Sequence, residues 1–419
     1  MTWLTAPLRK VAPPVAAKIV FSPDDRVWQL SLDQIESETG EIVGKRYAAA
    51  ADAGTSTFCF DAGNVLYSKL RPYLNKVAIP DEAGIATTEL IPLRPDPKTL
   101  NPRFLAYYLR SPGFVNQASH HVAGAKMPRV VMDWFWEHEA PISSPKEQSR
   151  IVELLDEADR LRRIRREADA KAARILPALF LKMFGDPATN PMKWPVVPLS
   201  DFVNAVSRRN PSTSPDEPFQ YIDIAGVDGE LGLITAVKSM VGRDAPSRAR
   251  QVVKWRDTVV STVRPYLRAT ALVPKELDNQ IASTGFCILR PRESNGYAWL
   301  FQLTRLQWFT EQLNARARGA SYPAVTDADI FQLLIPLPCD SKIFEEFSGQ
   351  YESVAKVLLT AGASSEKVDA LFNLMLQRAF SGELTAKWRE GHMNELLSEM
   401  AQQARILNLP TPNELEALP

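Results

Sequence analysis

Two short stretches of the chain set basic side chains beside a tyrosine at a turn. Lys69, Arg71 and Lys76 flank Tyr73, and Arg264 and Arg268 flank Tyr266; both tyrosines sit in the string Arg-Pro-Tyr-Leu, at 71–74 and again at 264–267. Guanidinium and ammonium groups grip phosphate oxygens, and an aromatic ring offers a stacking face, so this interleaving suits a polyanion. The competing reading is structural: the string shapes a turn and buries its tyrosine and leucine. Further basic candidates are Lys126 in the first half and Arg248, Arg250, Lys254, Arg316 and Arg318 in the second. An arginine that reads guanine does so through paired hydrogen bonds to O6 and N7.

Motifs for bond-making chemistry are missing. The sequence holds no G-x-x-x-x-G-K-[ST] phosphate loop, no G-x-G-x-x-G and no G-x-S-x-G elbow. His120, His121, His138 and His392 lack second ligands at metal spacing, which predicts surface or interface roles. Asn190-Pro191-Met192 is superficially similar to the Asn-Pro-Pro-aromatic motif of amino-methyltransferases, but it lacks the second proline and the aromatic and reads as a loop. A binding or scaffolding role is therefore favoured over catalysis.

Composition sets wide bounds. The 419 residues allow two to four domains, and 45% hydrophobic with 23% charged content is ordinary for a globular protein. Cys59, Cys287 and Cys339 lie far apart, with no C-x-x-C, which suits a reducing compartment and predicts a cytoplasmic protein. No signal peptide and no run of eighteen apolar residues is evident. Lys plus Arg and Asp plus Glu both number 49, so the net charge is zero. That counts mildly against a dedicated nucleic-acid protein, unless basic residues gather on one face.

The elements that must position these groups are written twice. Trp3-x-x-x-Pro7-Leu8 returns as Trp194-x-x-x-Pro198-Leu199, offset 191. Leu30, Leu32, Ile35, Gly40 and Ile42 return as Ile222, Ile224, Val227, Gly232 and Ile234, offset 192. Arg-Pro-Tyr-Leu returns at offset 193, Leu93-Arg94-Pro95 at 196, and Gly124-Ala125-x-x-Pro128 as Gly319-Ala320-x-x-Pro323 at 195. Collinear matches with a slowly drifting offset mark a tandem duplication with small loop insertions. In the first copy, short strands are expected at 57–60, 64–67 and 76–79 and a helix over 101–119, giving an α+β domain.

Each copy is followed by a long amphipathic helix. Ile151, Leu154, Ala158, Leu161, Ala168, Ala172, Ile175 and Leu179 form one stripe, broken by Arg165; Pro177 is expected to kink this helix or begin a separate segment. Phe347, Tyr351, Val354, Leu358, Ala361, Val368, Phe372, Met375 and Ala379 form the other, weakened at Ser364-Ser365. The stripes predict an antiparallel coiled coil, the alternative being that each packs on its own domain. The expected fold is α+β: two similar globular domains, 1–144 and 190–338, separated by two long antiparallel helices, 145–185 and 339–388, with an internal pseudo-twofold repeat. A tail, 389–419, is expected to pack loosely or against the N-terminus.

This layout resembles the specificity subunit of type I restriction–modification systems. The resemblance runs from Trp3 to about Arg389. It rests on Lys146-Glu147-Gln148-x-x-Ile151-Val152 after a proline-rich exit, Met183-Phe184-Gly185-Asp186-Pro187, Ala245-Pro246-Ser247-Arg248-Ala249-Arg250, Ser261-Thr262-Val263-Arg264-Pro265 and Arg378-Ala379-Phe380-Ser381-Gly382-Glu383-Leu384-Thr385. The first half lacks a counterpart of the Ala-Pro-Ser-Arg-Ala-Arg stretch. The resemblance implies two target-recognition domains that read a bipartite site in double-stranded DNA, with the helices as spacer. It implies two DNA methyltransferase (modification) subunits docked on the helices, and two motor-nuclease (restriction) subunits joining for cleavage. S-adenosylmethionine, ATP and magnesium would belong to those partners, with no cofactor and no catalysis in this chain. Two rival readings stand beside it: a coiled-coil adaptor that never touches DNA, and a DNA-modifying enzyme with a cryptic site.

Overall fold

The computed structural model describes residues 3–411. The chain divides into two compact units: residues up to 166 together with those from 364 on, and residues 167–363. Each unit therefore takes one globular part and a piece of both long helices.

In the first unit a four-stranded sheet runs in the order Tyr47–Ala49, Arg26–Leu30, Gly84–Thr87, Thr57–Phe60, its two central strands parallel. Gly84 is required there, because a Cβ at that position would stand 2.5 Å from the Trp28 carbonyl oxygen and 2.6 Å from the Phe60 ring. A second sheet sets Val65–Ser68 between Val77–Ala78 and Leu90–Leu93, and Leu4–Pro7 pairs with Glu139–Ile142. The helix expected over 101–119 is two helices, Pro102–Arg110 and Pro112–His120. Pro112 forces Ser111 out of the helical region, to ψ 145°, and Ser111 instead caps the second helix.

The second unit repeats this plan, with Val203–Asn204 added to its second sheet as a fourth strand beside Phe286–Pro291. Pro218–Ile222 runs parallel to Ile281–Ser283 in a sheet ordered Lys238–Val241, Pro218–Ile222, Ile281–Ser283, Ala249–Val252. Thr258–Ser261 lies between Thr270–Leu272 and Phe286–Pro291, and Val196–Pro198 pairs with Leu334–Pro336. Helices Tyr297–Arg305 and Gln307–Arg316 follow. The α+β duplication read from the collinear motifs is thus a duplication of topology.

The first long helix spans Pro145–Ala172 and restarts at Ile175–Phe184. Pro177 accounts for the break: it offers no N–H, and its ring would clash with the carbonyl of residue 173. The second long helix is continuous over Ser341–Phe380. Within each unit their pieces run antiparallel. In the first, Ile151, Val152 and Leu155 share a core with Phe372, Leu376 and Ala379, while Arg162 Nε bonds Asp369 Oδ1 at 2.7 Å. In the second, Phe180 meets Phe347 and Phe184 meets Phe344.

The first stripe needs correction. Its buried face runs through Ile151, Val152, Leu155 and Arg162, whereas Leu161 is 51% exposed. The periodicity pointed to Leu154 and Leu161 because an arginine does not count as apolar. Arg162 is nevertheless buried: its guanidinium lies 4.1 Å from the Phe372 ring centre, and Asp369 neutralises its charge.

The C-terminal segment completes the first unit. Helix Met393–Leu407 buries Leu396, Met400, Ala404 and Leu407; Met400, Ala404 and Leu407 join the same core as Leu4 and Leu8. Residues 412–419 of the expected tail lie outside the described residues. Glu147, fully buried, accepts from Trp3 Nε1 at 3.0 Å, Thr385 Oγ1 at 2.6 Å and Arg389 Nε at 2.7 Å. Gln148 and Gln403 both donate to the carbonyls of Thr99 and Ser143. Two of the motifs that carried the resemblance, 146–152 and 378–385, meet in this network.

Candidate nucleic-acid interface

The two Arg-Pro-Tyr-Leu strings form the same object. Arg71 has φ 50° and ψ 66°, and Arg264 has φ 49° and ψ 63°, so both are left-handed. A single 3-10 turn follows, Pro72–Leu74 or Pro265–Leu267, and the chain returns to the left-handed region at Asn75 or Arg268. Each turn is latched to a hairpin made by the Gly-Ala-x-x-Pro motif. Arg71 N donates to the Pro128 carbonyl and Arg264 N to the Pro323 carbonyl, both at 2.7 Å. Gly124 at φ 96° and Gly319 at φ 101° make those hairpins, with a hypothetical Cβ 3.1 Å from the Met127 oxygen or 2.9 Å from the Tyr322 oxygen. Ser68 and Ser261 tie the preceding strand to the turn, their hydroxyls donating to the carbonyls of Leu70 at 3.0 Å and Val263 at 2.9 Å.

Burial corrects the structural alternative for the string. The prolines are buried, but Tyr73 is 53% exposed and Tyr266 50%, and Leu267 is 58% exposed. The turn therefore presents its tyrosine to solvent.

The sequence candidates separate into groups. Arg71, Tyr73 and Lys126 sit on the first turn–hairpin surface, exposed and, in the case of Arg71 and Lys126, with no side-chain partner among the described residues. Lys69 adjoins them, beside Glu89, whose carboxyl Arg129 and then Lys69 hold below the usual range. Arg264, Tyr266 and Arg318 sit on the second surface, where Arg318 bridges Ala324 in the hairpin and pairs with Asp329 at 3.0 Å. The Arg264 guanidinium lies 4.4 Å from the Tyr322 ring centre. Arg248 reaches the same edge: Thr284 N donates to its carbonyl at 2.9 Å, and Gly285 accepts from Thr262 N at 2.9 Å, two residues before Arg264. Arg250 lies beside it, its guanidinium bonded to the Ala249 carbonyl at 2.7 Å.

Three further candidates donate to backbone carbonyls, and a fourth, Lys254, lies away from the turn. Lys76 Nζ donates to the Leu32 carbonyl at 2.7 Å. Lys254 lies at the far end of strand Ile281–Ser283, where Val253 pairs with Gln280 and Asn279. Arg316 is tied along its own helix to Gln312, at 2.8 Å to the carbonyl. Arg268 donates to the carbonyl of Arg305, the last residue of its helix. Asn75 does the same in the first unit, its Nδ2 donating to the Arg110 carbonyl at 3.1 Å. Arg268 is thus the counterpart of a helix-end cap, which a basic–aromatic pattern does not distinguish from an anion ligand.

Two surface residues escaped the charge-based reading: Met127, 46% exposed, and Tyr322, 68% exposed, at equivalent hairpin tips. The repeated Gly-Ala-x-x-Pro spacing was the signal that located them. Asn190 forms a turn, its amide satisfied by the backbone of Trp194. Among the described residues no group of His, Cys, Asp and Glu is placed to hold a metal ion, and no helix is long and apolar enough to cross a membrane.

A duplicated α+β chain with two long helices is the fold found in type I restriction–modification systems. A solved chain from a structure of the type I R-M system and its conformational transition aligns with TM-score 0.56 and 20% identity, covering 91% of this chain and 98% of that one. The type I restriction–modification S subunit from M. genitalium aligns with TM-score 0.49 and 13% identity, over 90% and 96%. In sequence, the chain is similar to the type I restriction enzyme EcoDI specificity subunit of Escherichia coli, 24% identical over 159 residues. That match spans 37% of this chain and 35% of the relative's length. No family model matches. The resemblance to specificity subunits drawn from the motifs is found again in the EcoDI relative, and the fold in the chain of the type I R-M system.

Proposed function

We propose that this chain is the non-catalytic DNA sequence-recognition subunit of a type I restriction–modification complex. The carrying observation is the pair of equivalent turn–hairpin surfaces, each with a left-handed arginine and an exposed tyrosine. The guanidinium groups of Arg71 and Arg264, free of carboxylates among the described residues, position a phosphate backbone, and side chains around them are free to reach base edges. In this reading the domains are 1–144 and 190–338, each taking one half of a bipartite duplex site, and the helical segments set the gap. Lys69, Arg71, Tyr73, Lys126, Arg248, Arg250, Arg264, Tyr266 and Arg318 make up the DNA surface. Methyltransferase subunits dock on the helices and bring S-adenosylmethionine; motor-nuclease subunits bring ATP and magnesium chemistry.

Domain exchange tests the reading. Replacing 190–338 with the corresponding part of another such chain, in the complex with its modification subunits, is expected to change one half of the methylated sequence. Methylome sequencing reads the result; a change in both halves, or in neither, rejects it.

A further inference from the structure

We infer that each unit presents a two-part prong to DNA: the left-handed arginine, Arg71 or Arg264, holds the sugar–phosphate backbone, and the hairpin-tip residue, Met127 or Tyr322, sets base preference. This rests on the DNA-recognition reading above and goes further by dividing the labour within each surface.

An L-residue in the left-handed region costs about 1–2 kcal/mol, and asparagine tolerates it better than arginine. At its other end the same turn uses asparagine in the first unit, Asn75 at φ 50°, and in the second an arginine, Arg268 at φ 53°, whose guanidinium caps a helix end. Turn geometry alone therefore does not explain an arginine at φ 50° and again at φ 49°. The side chain explains it, yet Arg71 gives its guanidinium to no group among the described residues. In the second unit Arg264 Nε is buried without a hydrogen-bond partner, and the guanidinium carbon stands over the Tyr322 ring, 4.4 Å from its centre, with donors to spare.

The duplication supplies the second argument. Two halves of one site share a phosphate backbone and differ in bases. Across the two surfaces the arginine, the tyrosine at 73 or 266, the glycine and the proline are identical, whereas Lys126-Met127 stands where Ser321-Tyr322 stands. The shared groups match what the half-sites share. The divergent ones are exposed at the tip beside the arginine, where an apolar or aromatic side chain can stack on or wedge at a base step.

The test is selection from a duplex library carrying two randomised segments, using the full chain in complex with its co-expressed modification subunits. Arg71→Asn and Arg264→Asn are each expected to weaken binding to all sequences alike, about eightfold at 0.1 M salt with the salt slope reduced by about one. Neither is expected to lower the melting temperature, since asparagine suits the conformation. The exchange Lys126→Ser with Met127→Tyr is expected to change the selected bases in one half-site only. Loss of thermal stability in the asparagine variants would make the arginines structural, and unchanged selected bases in the tip exchange would remove the tips from recognition; either overturns the inference. A wild-type complex that selects no sequence rejects the DNA reading itself, a different and recognisable failure.

Discussion

The two units share a backbone plan and close it with opposite chemistry. In the first, the start of the first long helix is held by a buried polar network: Glu147 with Trp3, Thr385 and Arg389, and Gln148 with Gln403 on two carbonyls. In the second, the equivalent place is an aromatic cluster of Phe180, Phe184, Phe202, Trp299, Phe344 and Phe347. A duplicated fold thus tolerates replacement of hydrogen bonds by rings; in the polar copy the Glu147 carboxylate is fully engaged, while Gln403 Oε1 and Ser143 Oγ stay buried without a partner. The difference also governs how each unit fails. A polar closure breaks when one partner leaves, because the other stays buried and uncompensated; an aromatic closure breaks in proportion to the volume removed.

The largest expected effects test that contrast directly. Arg389→Ala leaves the Glu147 carboxylate buried without its cation and is expected to destabilise the first unit by about 3–5 kcal/mol. Phe347→Ala is expected to cost the second unit about 3–5 kcal/mol through the cavity it leaves. Hydrogen exchange resolved along the chain checks both: each variant should loosen its own unit, and equal loosening in both would show that the two closures are not separate. Asn75→Ala and Arg268→Ala come next, at about 1 kcal/mol each, because both remove one bond to a helix-end carbonyl. Denaturant melts that gave unequal losses would undo the equivalence of the two caps.

The smallest expected effect is in pH. All four histidines lie in the first unit. Burial, and then the charge of His121, hold His138 below its ordinary value, and its Nε2 lies 2.7 Å from the Tyr108 hydroxyl. Above about pH 6.5 the ring is neutral in folded and unfolded chains alike. As pH falls below that, the unfolded chain takes up the proton first, so stability is lost on the way down toward the depressed folded value. Opening equilibria from hydrogen exchange, corrected for the intrinsic exchange rate at each pH, should rise from about pH 7.5 to 5.5 in the first unit only, and His138→Gln should flatten the change. A matching rise in the second unit would assign the effect elsewhere.

Much of this architecture was legible in the residues. The offsets from Trp3/Trp194 to Gly124/Gly319 placed equivalent elements correctly, because each pinned residue is one the backbone needs: a left-handed position, a hairpin glycine, a strand-facing apolar group. The helical stripes were legible where phenylalanines carried them. They were misread at Leu161 and Arg162, where a neighbour from the other helix makes an arginine the buried residue. The candidate surface was half legible. Charge beside an aromatic picked out Arg71, Tyr73, Arg264 and Tyr266, but ranked Arg268 and Lys76 with them and kept Arg316 as a further candidate, although donors of all three go to backbone carbonyls.

By itself, the order of residues determined that this chain is a doubled α+β protein with two long amphipathic helices, since local spacing and repetition are written along the chain. Only the tertiary structure decided which cations are spent internally and which remain free. It also decided that residues near 147, 385 and 403 form one buried network and that the residues at 127 and 322 stand at equivalent tips. The physical reason is common to all three. Whether a donor is satisfied, or a side chain covered, depends on groups hundreds of positions away in sequence, and no local pattern records them.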